Sequence, residues 1–191
     1  MRTIKLLVLL GATATMLAFA SSASATTLTG PNGEVTPTLH FQSEGHVKTA
    51  SFAAVECTST FEYTVTSHGP GFPVGGSVNN LTFSPCTNSW HATVVTPGTM
   101  TIHYKAAGEG TVTSNGMTVT KTRLGVVCNY ATNNTVIGTI TDKTVAANKL
   151  GTIDISAEVP IEPTSSGLCG TGNTKWTGFY ASTTAITLHE K

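Results

Sequence analysis

Six histidines, four cysteines and ten carboxylates are the side chains of this sequence that could support catalysis or hold a metal. The histidines are His40, His46, His68, His91, His103 and His189. The best-spaced pair is His91 and His103, on two strand-forming stretches that flank Pro97-Gly98. If that dipeptide is a two-residue hairpin loop, His91 faces Tyr104 and His103 faces Ala92. The two rings then point to opposite sides of the sheet. Shared metal ligation is therefore not expected, and no cofactor is implied elsewhere. A glycosidase needs two carboxylates facing one cleft. Glu56 and Glu62 share a strand face but lie six residues apart, roughly 20 Å at strand rise. Asp142 and Asp154 are the acids that could approach across strands. No serine sits in a G-x-S-x-G turn, and no calcium loop is present. The expectation is a protein that is not an enzyme, with a secreted hydrolase of dispersed acids as the remotest reading.

The cysteines are Cys57, Cys86, Cys128 and Cys169, with gaps of 29, 42 and 41 residues. Zinc sites usually bring cysteines in pairs two to four residues apart. An even count at long spacing in an exported chain reads as two disulfides instead. A hairpin around residues 68–76 would set Ser67 against Ser77 or Gly76, and Cys57 then falls against Thr87 or Cys86. Cys57–Cys86 is the bridge this register implies, and Cys128–Cys169 follows by elimination. Three aromatics are candidate ligand contacts: Trp90 and Trp176, each at the start of a strand, and Phe72, in the loop Gly71-Phe72-Pro73.

The elements that must position these residues are strands. The chain has 191 residues and only 10% are charged. Thr occurs 37 times, Val 16 times and Gly 19 times. Such a composition disfavours helix and suits a pleated sheet. Residues 55–66 alternate between a mostly apolar set (Val55, Cys57, Phe61, Tyr63, Val65) and a polar one, the pattern of a half-buried strand. Pro97-Gly98 and Asn115-Gly116 read as hairpin turns between short strands. Nine to eleven short strands follow, with turn signals every 8–12 residues, and the expected fold is an antiparallel β-sandwich, Ig-like or Greek-key.

Residues 1–25 read as a cleaved signal peptide: Arg2 and Lys5, an apolar run over 6–20, then Ala23-Ser24-Ala25. Residues 26–191 would form one domain, secreted to the periplasm or the extracellular space. That domain has eight basic and ten acidic residues, a net charge of −2 with neither sign clustered. Nothing in it steers nucleic acid, and no second apolar run offers a membrane span.

Three pieces carry a resemblance: Val-Glu-Cys-Thr-Ser-Thr-Phe at 55–61, Leu-Thr-Phe-Ser-Pro-Cys at 81–86, and Cys169 followed by Trp-Thr-Gly-Phe-Tyr at 176–180. In these the chain resembles small exported bacterial all-β proteins, some named protein activator of alkane oxidation. The resemblance implies an exported all-β protein and supplies no catalytic residues. The leading expectation is a non-catalytic protein of the cell envelope or extracellular matrix, acting by binding or self-assembly. The alternative is a module for a carbohydrate or an apolar molecule, contacted by Phe72, Trp90 or Trp176. Intact-mass measurement on exported protein should find a chain that begins at Thr26; a mass retaining residues 1–20 would turn the leader into an anchor.

Overall fold

The computed structural model describes residues 26–29, 38–43, 46–49, 54–67, 73–147 and 149–190. Residues 1–25, read above as a signal peptide, and Phe72 lie outside them. Among the described residues there are fourteen strands, more than the nine to eleven expected: β1 (Thr26–Thr29), β2 (Thr38–Ser43), β3 (Val47–Thr49), β4 (Val55–Ser67), β5 (Val74–Cys86), β6 (His91–Thr96) and β7 (Thr99–Ala106) in the first half. The second half has β8 (Glu109–Asn115), β9 (Thr118–Arg123), β10 (Val126–Ala131), β11 (Thr135–Thr141), β12 (Gly151–Pro160), β13 (Asn173–Ser182) and β14 (Thr187–Glu190). Two single-turn 3-10 helices, Thr87–Ser89 and Gly167–Cys169, interrupt them.

The architecture is a barrel, not the expected sandwich. The main sheet runs β12-β11-β8-β7-β5-β4-β2-β13, and β13 pairs back onto β12. That closing ladder is long, from Gly151 opposite Ser182 to Pro160 opposite Asn173. A sandwich keeps two sheets with open edges, whereas here eight antiparallel strands close on themselves and the wall has no edge. β3 continues the place of β2 between β4 and β13. Alternation puts Leu39, Phe41, Phe61, Tyr63, Val78, Ile102, Val112, Ile153 and Tyr180 inside, each buried. Each such side chain contributes about 1.5–3 kcal/mol of burial.

The two expected hairpin turns are corners instead. β6 does not pair with β7. It pairs with β9, while β7 pairs with β8, and the register carries across the corner itself, Thr99 opposite Asn115 and Thr96 opposite Thr118, with an irregularity just beyond it between Val94 and Thr96. β10 and β11 continue each other in the same way, with Ala131 opposite Thr118 and Thr135 opposite Ser114. Three long strands thus bend side by side. One half of each stays in the barrel wall, and the other half leaves as a three-stranded flap, β10-β9-β6. A left-handed residue marks each bend: Gly98 (φ 72°), Gly116 (φ 70°) and Asn134 (φ 48°). Beside them the buried hydroxyls of Ser114 and Thr132 hydrogen-bond at 2.9 Å, and the Met117 N–H donates to Thr132 Oγ1 at 3.1 Å.

The flap folds over one barrel end. There Tyr130 meets the edge of Trp176, with centroids 5.8 Å apart. The β1–β14 ribbon sits at the other end, burying Leu28 and Leu188, and the Leu188 N–H donates to Asp142 Oδ2 at 3.2 Å.

The bridges run Cys57–Cys86 and Cys128–Cys169. The first arises through a different register from the one expected. Ser67 lies opposite Gly75, and the ladder shifts three times along β4 and β5 before Cys57 meets Cys86. The second fastens β10 of the flap to the helix Gly167–Cys169. In the chain-entropy account, loops of 29 and 41 residues stabilise the fold by about 3–4 kcal/mol each.

A Cβ on Gly98 would sit 2.5 Å from Asn115 O and Met117 N, whereas one on Gly116 would meet nothing within 4 Å. Gly116→Ala should therefore cost only the left-handed penalty, about 1 kcal/mol. Gly98→Ala adds a backbone clash and should cost about 2–4 kcal/mol. Urea unfolding of both variants checks the order; equal losses would mean the two strands do not press together at the corner.

Candidate functional site

The barrel interior is filled by its own side chains. The space left between Phe61, Met100, Met117, Ile155 and Trp176 is about 50 Å³. Small-molecule sites usually measure 300–1,000 Å³. Trp90 and Trp176 belong to this packing, at 3% and 6% exposure, so neither offers a face to a ligand at the surface. Trp176 stands edge-on to Phe83 as well as Tyr130. The third candidate aromatic, Phe72, is outside the described residues.

Lys121 lies beneath the flap, at a position the sequence reading passed over. It shares the inward parity of Val119 on β9 and is 4% exposed. Its ammonium sits 4.8 Å from the Trp90 ring centroid and 5.5 Å from that of Tyr130, and it donates to Thr49 Oγ1 at 3.1 Å. The two ring faces favour the charged form. Burial outweighs them and lowers the ammonium pKa to about 8.

The remaining titratable groups are dispersed. His91 pairs across to Thr122 in the flap, while His103 pairs with Thr111 in the barrel. The two histidines therefore stand in different sheets, a separation greater than the opposite faces expected of them. Among the described residues no three His, Cys, Asp or Glu side chains are grouped to hold a metal ion. Glu56 pairs with Lys48 across β3 and β4 at 2.9 Å, and that ammonium holds its carboxyl below the ordinary range. Asp154 pairs with Thr139, and Thr152 with Thr141. One step further sets Asp142 beside Gly151, three residues from Asp154 and on the opposite face. These acids do not share a cleft.

Two grooves open on the outer surface. One, about 290 Å³, lies on the barrel wall along His40, Gln42, Thr60, Glu62 and Asn80. Both oxygens of Glu62 are engaged there: His40 Nδ1 lies 3.1 Å from Oε1, and the Asn80 amide donates to Oε2 at 2.7 Å. No second carboxylate lines that groove among the described residues, so the pair that glycoside cleavage requires is missing.

The other groove, about 440 Å³, lies at the end of the flap farthest from the corner. β9 and β10 are joined there by Leu124-Gly125, both in left-handed geometry with φ 48° and 82°. Such a turn favours Asn-Gly, and Leu is a costly occupant of its first position. Leu124 is nevertheless 92% exposed and recovers nothing by burial. His91, Thr122 and Val127 form one cross-strand row beside it. Arg123 lines the groove, and its Nε is buried without a hydrogen-bond partner. The sequence signal for this site was a leucine where a tight turn calls for asparagine.

Comparison with protein-family models, with curated proteins and with solved structures returned no match.

The neutral amine is favoured at Lys121 in the folded state, so between about pH 8 and its ordinary 10.5 the native protein binds fewer protons than the unfolded chain. Stability should rise with pH across that window. Burial raises the phenols of Tyr63 and Tyr180 above their ordinary 10.0. Above pH 10 the unfolded chain therefore sheds protons that the native state keeps, and stability should fall. Lys121→Met should stabilise the protein at pH 7 and flatten the rise between pH 8 and 10. Denaturant midpoints across that range decide it; an unchanged slope in the variant would assign the pH dependence to other groups.

Proposed function

We propose that this is an exported, non-catalytic β-barrel protein of the cell envelope or extracellular matrix that acts by binding through its outer surface. The observation that carries the reading is the contrast between a barrel interior with about 50 Å³ of free space and outer grooves of about 290 and 440 Å³. Two disulfides favour an oxidising compartment. Among the described residues no helix is long and apolar enough to cross a membrane.

Of the two modes, binding fits better than strand-by-strand assembly. Assembly through sheet edges needs unpaired strands, and closure removes them from the wall. The flap edge at β10 is occupied too: the Ser166 N–H donates to Val127 O at 2.7 Å, and the Glu162 N–H to Asn129 O at 2.8 Å. The carbohydrate alternative draws support from the polar, outward position of both grooves, and the apolar-ligand alternative is disfavoured by the small interior.

Co-sedimentation of the protein with insoluble envelope and matrix polysaccharides, alongside light scattering and a reducing-sugar assay, tests the proposal. Saturable pelleting without sugar release supports it. Release of reducing ends would make the protein a hydrolase, and concentration-dependent self-association without pelleting would make it an assembly subunit. Absence of pelleting and self-association alike would overturn the reading.

A further inference from the structure

The barrel-wall groove collects side chains that the strand registers place on one face. Alternation turns Leu39 and Phe41 of β2, and Phe61 and Tyr63 of β4, into the barrel, where all four are buried. His40, Gln42, Thr60 and Glu62 therefore point outward. His40 lies opposite Glu62 and Gln42 opposite Thr60, two adjacent cross-strand rows. β5 extends both rows. Thr82 lies opposite Thr60, and their hydroxyls hydrogen-bond at 2.8 Å. Between Thr82 and Asn79, β5 carries one residue more than β4 does between Thr60 and Glu62. Such a bulge re-aims a side chain. Asn80 sits in it at φ 49° and donates to Glu62 Oε2.

β13 forms the other wall. Ala181 lies opposite Gln42 and lines the groove. Phe179 precedes it by two residues on a strand whose register is unbroken. It is therefore on the same outer face, roughly 7 Å further along. Its exposure is 36%, and among the described residues no other Phe, Tyr or Trp is as exposed. The groove thus has an aromatic ring at its flank, which the sequence reading of the tryptophans passed over.

The chemistry of the walls narrows the ligand. No Lys or Arg lines the groove, so an anionic chain would meet Glu62 without a counter-charge. A cationic ligand would find both oxygens of Glu62 already engaged. The Gln42 and Asn80 amides and the Thr60 hydroxyl combine donors with acceptors, which suits neutral hydroxyl groups that do the same. A pyranose presents such hydroxyls at its rim, and its C–H face packs on the negative face of an aromatic ring. About 290 Å³ is close to the lower bound for a small-molecule site.

We propose that this groove binds a neutral glycan chain, with His40, Gln42, Glu62 and Asn80 as its polar contacts and Phe179 as a stacking platform. The proposal rests on the surface-binding reading above and names the site and the ligand class for it.

Isothermal titration of the disulfide-bonded protein with neutral hexasaccharides of glucan, mannan and galactan, and with a hexuronate of the same length, tests it. The expected result is saturable binding of at least one neutral chain and at least tenfold weaker binding of the uronate. Phe179→Ala should lose at least tenfold in affinity for that chain. Glu62→Gln keeps the shape and removes the ordered carboxylate, so it should lose several-fold. Near-UV circular dichroism confirms that each variant is folded. Uronate binding as tight as the neutral chains would overturn the ligand class. Full affinity in both variants would overturn the groove. Absence of binding to all four chains, with polysaccharide pelleting intact in Phe179→Ala, would refute this site while leaving the surface-binding reading in place.

Discussion

The fold depends on three neighbouring strands turning the same corner together. A strand can bend sharply where one residue takes the left-handed conformation, and Gly98, Gly116 and Asn134 supply that residue in three adjacent strands. Because the bends are in register, the ladder survives them, and Thr96 and Thr99 keep partners on the same neighbouring chain. Without the bend, β6, β9 and β10 would project from the barrel with their inner faces in water. With it, Val119, Cys128 and Tyr130 become buried against the barrel end. The Cys128–Cys169 bridge then fixes the flap to the segment that covers its edge.

Closure of the barrel determines where chemistry can occur. Eight strands leave an interior that side chains can fill, and here aromatic rings fill much of it, Phe41 stacked on Phe61 and Phe61 against Tyr180. Two tyrosine hydroxyls inside are hydrogen-bonded, whereas the indole N–H groups of Trp90 and Trp176 find no acceptor. The Tyr180 hydroxyl donates to Ser59 Oγ at 2.9 Å, and that of Tyr63 donates to Val74 O at 3.1 Å. Lys121 adds a buried ammonium, which costs stability even between two rings. The polar groups that remain available face outward, on the barrel wall and at the flap end.

The candidate site was only partly legible in the sequence. His40, His91 and His103 stand at the surface, and Asp142 and Asp154 lie on opposite faces. The tryptophans were harder, because a strand-initial aromatic has the same pattern whether it faces a core or a ligand. Arg123 and Leu124 were missed. Their significance lies in a turn conformation and a buried, unpaired nitrogen, and neither is visible until the strands are paired.

An all-β chain with two disulfides followed from the residues alone, since Thr, Val and alternation are local properties and cysteine spacing is a count. The choice between sandwich and barrel did not. Both give the same two-residue alternation on every strand, and they differ in whether β12 and β13 meet the rest of the sheet from both sides. Pro97-Gly98 and Asn115-Gly116 show the same limit from the other direction. A positive φ at glycine serves a hairpin turn and a bent strand equally well, and the tetrapeptide around it is identical in both cases. What distinguishes them is the identity of the neighbouring strand, a contact between residues far apart in the chain. That contact is set by burial of the whole interior, a tertiary property to which no local stretch of sequence has access.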